Sequence, residues 1–165
     1  MKLALGFVVA VCVTAQQPMP HSTERSRAIA SAQDSTIDYF DAVSDYFRNT
    51  PRAVAAISKK GIPDQEIPAV LLIARRSTAS PNQVIDARLA GKSFAEIAKA
   101  NRVTVSGDDF VKEANIIFLS EYHGRPADQI RSMNAKGANF IDINRNLRRE
   151  GEPLLKQKTE TSTPR

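Results

Sequence analysis

Apolar residues recur at helical spacing along most of the chain, and three stretches repeat one arrangement. Each stretch has an apolar residue, a glycine seven positions later and an isoleucine six positions beyond the glycine. The three sets are Val54, Gly61 and Ile67; Val84, Gly91 and Ile97; and Ile130, Gly137 and Ile143. A repeated spacing indicates a repeated supersecondary unit, here a short helix, a turn at the glycine and a second helix. Because one such unit cannot bury its apolar side alone, we expect the units to pack against each other.

The same periodicity predicts a first helix and a central one. The first helix runs from near Ser35 to Arg48, with its apolar and acidic residues on different faces. A later helix starts at Pro63-Asp64 and continues through Ile67–Ala74, which is apolar on nearly every side. A helix of that kind is normally enclosed by others, so we predict that it lies at the centre, with a kink at Pro68.

Residues that start helices divide up the remaining segments. Thr50-Pro51 and Ser80-Pro81 each supply an N-cap followed by a first-turn proline, and Ser93 is a third N-cap. Asp108 or Asp109 is expected to cap a long helix that follows. No stretch alternates apolar and polar residues for long enough to suggest a sheet. We therefore predict an all-α fold, either a small helical bundle or a short solenoid, built from about three tandem helical units.

The first fifteen residues have the three parts of a secretory signal peptide. They hold one lysine, an apolar run of about eleven residues, and the small-residue sequence Val13-Thr14-Ala15. The run is shorter than the roughly twenty apolar residues that cross a bilayer, and no other segment of the mature chain is a membrane span. We expect an exported protein, periplasmic or secreted, that is cleaved after Ala15.

Composition changes again on either side of the helical region. Residues 16–34 and 151–165 are polar and contain prolines, so we predict a flexible N-terminal segment and a disordered C-terminal tail. The helical repeat domain would then occupy residues 35–150.

Cleavage after Ala15 removes Cys12, the only cysteine, and with it any disulfide, cysteine ligand or cysteine nucleophile. The whole chain carries 23 basic and 18 acidic residues, and the loss of Lys2 leaves 22 basic residues and a net charge of +4. A modest positive charge favours solubility and weak attraction to acidic surfaces, but it identifies no partner.

The region from Gly61 to Glu150 contains several distinctive runs. They are Ile67–Arg76, Ser80–Arg88 with Gly91–Ala98, Phe118–Tyr122, and Phe140–Asn144. With these runs the region resembles a family of exported bacterial proteins of uncharacterised function. Members usually have a longer, aromatic-rich insert where this chain has only Asn101–Lys112. The resemblance implies an envelope location and a helical fold, and it implies no activity and no site residue.

Few residues suggest catalysis or metal binding. Asp38, Asp41 and Asp45 share a helix face, but acid–base catalysis would need burial or a partner to separate their pKa values, and a solvated face is the simpler interpretation. Neither His21 nor His123 has a second histidine or cysteine at a metal-ligand spacing. We therefore predict no catalytic residue, no cofactor and no metal site.

Basic residues near the ends of helical segments are the candidate binding residues. The helix dipole explains such positions without a ligand, and contact with an anionic envelope polymer or an acidic partner protein is the functional interpretation. The candidates are Lys59, Lys60, Arg75, Arg76, Lys92, Lys99 and Arg102.

These observations favour a non-enzymatic interaction or scaffold protein of the cell envelope, which binds another protein or an anionic polymer through a groove between units. One alternative is a helix-turn-helix regulator that stays in the cell, because Ser93–Thr104 resembles the first helix and turn of that motif. Nucleic acid is disfavoured as a partner: Arg102 stands where the turn usually has glycine, and two carboxylates at 108–109 would face a polyanion. The second alternative is a small hydrolase with an unrecognised site.

Overall fold

The computed structural model describes residues 22–105 and 107–151. Within these ranges the chain forms eight α-helices and one short 3₁₀ helix, and it contains no strand. The helices are α1 (Ser22–Phe47), α2 (Pro51–Lys59), α3 (Ile67–Arg76), α4 (Pro81–Leu89), α5 (Phe94–Ala100), α6 (Phe110–His123), α7 (Ala127–Ala135) and α8 (Phe140–Glu150), and the 3₁₀ helix covers Asp64–Glu66. The predicted all-α fold is confirmed, in the form of a compact helical bundle.

Helices α3 and α6 lie at the centre of the bundle. Every residue of α3 from Ile67 to Ile73 is buried, and α3 packs against α1, α2, α4, α5 and α6. Helix α6 contacts α1, α5, α7 and α8 in turn. The prediction of a central helix is therefore confirmed, although α3 shares the centre with α6. Pro68 lies in the first turn of α3, where proline is tolerated. The helix that was predicted to start at Pro63-Asp64 is divided just before Pro68, into the 3₁₀ helix Asp64–Glu66 and α3.

The three predicted units share their local structure. Helices α2, α4 and α7 each span nine residues, and each is followed by a glycine with positive φ: 95° at Gly61, 90° at Gly91 and 96° at Gly137. All six apolar residues that defined the repeat are buried. The first unit differs after its glycine, because the 3₁₀ helix separates the turn from α3.

Local capping explains where these helices begin. Each predicted N-cap accepts a hydrogen bond from the backbone N–H three residues later, which is the geometry that satisfies a free donor of the first turn. The pairs are Thr50 with Ala53, Ser80 with Gln83, Ser93 with Glu96, and Asp109 with Lys112. The four N-cap predictions are confirmed, and of the two aspartates considered it is Asp109 that caps α6.

The first helix is longer than predicted. Helix α1 begins at Ser22, so residues 22–34 of the predicted flexible segment are helical. Residues 29–34 are exposed, so this part of the helix has no buried face and no apolar period to reveal it. The predicted signal peptide at 1–15 and residues 152–165 of the predicted tail lie outside the described residues. No described helix has the length and apolar character that a membrane span requires.

Helix α8 closes the bundle by packing against α1. Arg148 pairs with Asp38 at 2.6 Å, and Arg145 donates to the Ser35 hydroxyl at 3.0 Å. This contact joins the last unit to the first helix, and it makes the arrangement a closed bundle rather than an open solenoid.

Candidate functional site

A cleft of about 270 Å³ lies between α2 and α4, the first helices of units one and two. Both helices pack on α3, which supplies Leu71 to the lining. The remaining apolar residues of the lining are Ala53, Ala56 and Ile57 from α2, with Pro81 and Ile85 from α4. Three polar residues complete it: Asn49, Lys60 and Asn82. We call this feature the α2–α4 cleft.

The sequence of each wall explains why the cleft stays open. On α2, Val54 and Ile57 are buried and hold the helix on the core, while the exposed Ala53 and Ala56 are too small to fill the space beside them. On α4, Ser80 and Gln83 form a capping box, in which each side chain bonds the backbone N–H of the other residue. Local capping and core packing thus hold both walls in place, and the hydrogen bond from Lys60 to Asn82 joins them.

Apolar surface continues beyond the cleft along α4. Leu89 lies four residues after Ile85, on the same side of the helix, and 54% of it is exposed. Its Cδ2 atom is 3.9 Å from the place that a Cβ would occupy on Gly61, in the turn after α2. The apolar strip therefore extends from the cleft to the glycine turn of the first unit.

Lys60 is the cation of the cleft. Its Nζ donates to Asn82 Oδ1 at 2.8 Å, which brings the ammonium across from the α2 side to α4. Within the described part of the chain no carboxylate lies within ion-pair distance of this ammonium. The cleft thus combines an apolar lining with one positive charge that a neutral amide holds in place.

The other predicted basic residues do not line this cleft. Arg75 lies over the ring of Tyr46, 5.1 Å from its centroid, and Arg76 donates to the Thr104 carbonyl at 3.4 Å. These contacts tie the end of α3 to α1 and to the connection between α5 and α6. The predicted set therefore contributes one residue, Lys60, to the cleft. Six members of the set do not line the cleft: Lys59, Arg75, Arg76, Lys92, Lys99 and Arg102.

The segment proposed as a helix-turn-helix has only part of that geometry. Arg102 has a left-handed backbone with φ of 58°, the conformation for which such turns usually use glycine. Residues 107–109 are not helical, and the next helix begins at Phe110. The described residues that the motif would use for its recognition helix are therefore a loop.

A second cleft, of about 370 Å³, lies where α4, α5 and α6 meet. Four of its polar side chains, those of Arg88, Glu66, Ser93 and Asp109, already have protein partners. Arg88 pairs with Glu66 at 2.9 Å and lies over the ring of Phe94, and Ser93 and Asp109 cap α5 and α6. These groups therefore stabilise the helices that surround the cleft and are not free for a substrate.

The predicted acid and histidine candidates also have structural contacts. Asp38 pairs with Arg148, and Asp45 accepts a hydrogen bond from the Tyr122 hydroxyl at 3.1 Å. His123 is buried, and its Nε2 lies 2.9 Å from Asn144 Oδ1. Burial lowers the pKa of His123, and the nearby cations Arg148 and Arg125 lower it further. Among the described residues no group of three or more His, Cys, Asp or Glu side chains could hold a metal ion.

A groove between units was predicted from the sequence, but of the residues that line the α2–α4 cleft only Lys60 was among the predicted binding residues. Asn49, Asn82 and the alanines of α2 carried no chemical signal, and the one available clue was the pair of proline-started helices at an offset of thirty residues. Comparison with known proteins adds nothing to this site: no protein-family model matches the chain, and neither a curated protein nor a solved structure matches it.

Proposed function

We propose that this protein is an exported, non-enzymatic interaction module of the cell envelope, which holds a segment of another protein in the α2–α4 cleft. The observation that supports this proposal is the cleft itself. It has apolar walls between two well-anchored helices, it opens to solvent, and its lining contains no acid, histidine, serine or cysteine side chain. Export is inferred from residues 1–15 and from the resemblance to exported proteins.

The dimensions of the cleft suit a short peptide segment. Each wall is a helix of nine residues, about 13 Å long at 1.5 Å per residue. That length matches about two turns of a bound helix or about four residues of an extended strand. The volume of about 270 Å³ is just below the usual range for small-molecule pockets, and it favours one or two inserted side chains.

A protein segment fits this cleft better than an anionic polymer does. A polyanion binds through several cations along its path, whereas the cleft offers Lys60 alone and six apolar residues. Arg75 and Arg76, two of the other predicted cations, contact different parts of the bundle. We therefore place a protein partner in the cleft and treat polyanion binding as the competing outcome.

The export part of the proposal is tested by cell fractionation with N-terminal sequencing of the purified protein. We expect the protein in the envelope or the medium, beginning at Gln16. An uncleaved protein in the cytosol that begins at Met1 would contradict export and would revive the regulator hypothesis.

The binding part is tested by selecting random twelve-residue peptides displayed on phage against the purified chain. Ala56→Trp fills the cleft from an exposed position of α2, and Ala135→Trp makes the same change at an exposed position of α7. We expect selected peptides to lose binding to Ala56→Trp and to keep it with Ala135→Trp, with both variants melting like the parent.

Peptides that bind both variants equally would exclude the cleft as the binding site. A parallel titration with inorganic polyphosphate covers the competing class. Polyphosphate that binds tightly, while no peptide depends on the cleft, would show that the chain binds polyanions and not a protein segment.

A further inference from the structure

On the basis of the proposed function, we infer that the α2–α4 cleft recognises a partner segment in which a carboxylate lies beside a bulky apolar residue, with Lys60 pairing with the carboxylate. The apolar residue would enter the space between α2 and α4, above Leu71. The inference depends on the positive charge of Lys60, on the shape of the apolar space and on the distance between the two.

Lys60 differs from the cations that the bundle pairs with its own carboxylates. Three arginines that join elements of the bundle are paired with carboxylates: Arg88 with Glu66, Arg131 with Glu113 and Arg148 with Asp38. Lys60 instead donates to the neutral amide of Asn82. An ammonium has three N–H donors and this contact uses one, so donors and a full positive charge remain available at the exposed side of the cleft.

The apolar space between α2 and α4 determines which type of residue can lie beside the carboxylate in the partner segment. Ala53 and Ala56 leave room beside the buried Ile57 and Ile85, and a side chain placed there would lose its contact with water on several sides. Burying one large apolar side chain contributes most of the affinity that a short segment can obtain, so the apolar residue is the anchor. The exposed Leu89 offers a further apolar contact next to the cleft.

Lys60 and the apolar space lie close enough to each other to contact adjacent residues of one partner segment. Lys60 and Asn82 line the same cleft as Ile57 and Ile85, and the walls are only about 13 Å long. Within that distance the carboxylate and the apolar anchor have to be neighbours or lie one turn apart. An acidic side chain and a C-terminal carboxylate provide the same chemistry, and the selected sequences will distinguish them.

The experiment extends the phage selection with a charge test. Peptides selected on the parent chain are synthesised in two forms, one with the carboxylate and one with the corresponding amide, and their affinities are measured for the parent, Lys60→Gln and Lys59→Gln. Lys59 is the matched control, because it is the neighbouring exposed lysine and does not line the cleft. Both positions are exposed, and thermal melting verifies that the variants fold.

We expect the selected peptides to be enriched in an acidic residue, or a free C-terminus, beside Leu, Ile, Met or Phe. Lys60→Gln should weaken the carboxylate peptide about two- to fivefold, the range for a solvent-exposed ion pair, and should abolish the difference between carboxylate and amide forms. Lys59→Gln should leave both affinities unchanged. The Lys60 effect should also decrease as salt is added, because exposed charges are screened.

The possible failures are distinguishable. Peptides that require the cleft but show no acidic preference, or that respond equally to Lys59→Gln and Lys60→Gln, would overturn this inference and leave the proposed function standing. Peptides that bind regardless of Ala56→Trp would overturn the proposed function itself.

Discussion

Gly91 ends the first helix of unit two with a φ of 90°, a conformation that residues with a Cβ rarely adopt, because the Cβ crowds the backbone carbonyl. A Cβ built on Gly91 meets no atom within 4 Å. Substitution therefore changes the backbone energy and not the packing, and Gly91→Val isolates the conformational contribution of this turn. A β-branched residue is the least tolerant choice for positive φ.

The expected loss combines two opposing effects. A residue held in a sparsely populated backbone region costs about 1–3 kcal/mol. Valine also restricts the unfolded chain, which offsets about 0.4–1 kcal/mol of that cost. We therefore expect the free energy of unfolding to fall by about 1–2 kcal/mol, which for a domain of this size lowers the melting temperature by about 3–8 °C.

Urea denaturation and thermal melting followed by circular dichroism measure this change. Gly137→Val should lose a similar amount, because Gly137 has a φ of 96° at the same position of unit three and equally open surroundings. Gly151→Val is the matched control: its φ of 162° is extended, and nothing lies near its added Cβ. A Gly91→Val protein that melts like Gly151→Val would show that the turn has a different backbone from the one described.

Two further predictions concern buried polar groups. Burial places the pKa of His123 below its usual value of 6.5, so the unfolded chain binds the proton more tightly than the folded one. The contribution of His123 to the free energy of unfolding should therefore be fully present above about pH 6.5 and should be lost as the pH decreases toward the folded-state pKa. In urea titrations, the free energy of unfolding should fall more between pH 7.5 and 5 for the parent than for His123→Gln. Asn115→Ala should lower the free energy of unfolding by about 2–4 kcal/mol, because the buried Asn115 bonds the Tyr39 hydroxyl and the Gln65 carbonyl, which would lose their partner. Asn101→Ala removes only a bond to a helix carbonyl at a half-exposed position, and a loss as large as that of Asn115→Ala would contradict this reasoning.

The features predicted best from the sequence are those that depend on residues close together in the chain. An N-cap and its N–H donor are three residues apart, so Ser80 and Ser93 could be identified without knowing what their helices pack against. The glycine turns and the buried residues around them followed for the same reason. The extension of α1 before Ser35 was missed because the exposed residues 29–34 form no apolar face that would show a helical period.

The network around Asn115 could not be predicted, because its members come from distant parts of the chain. Its side chain joins Tyr39 on α1 to Gln65 in the 3₁₀ helix, and neither residue type carries a signal for such a contact. The contact between Lys60 and Asn82 could not be predicted either, because the two residues are 22 positions apart in the sequence. This contact distinguishes Lys60 from the other six predicted cations and holds its charge at the cleft.

The amino-acid sequence by itself determined the amphipathic helices, four of their N-caps and the threefold repeat, because helical periodicity, capping and glycine turns act over a few neighbouring residues. Only the tertiary structure decided that the units form a closed bundle, and that α2 and α4 leave an apolar cleft with Lys60 beside it. The physical reason is that each unit must bury its apolar side against the others. The relative positions of the exposed faces of α2 and α4 then depend on how the buried faces of these helices pack on α3. No local sequence pattern specifies that packing.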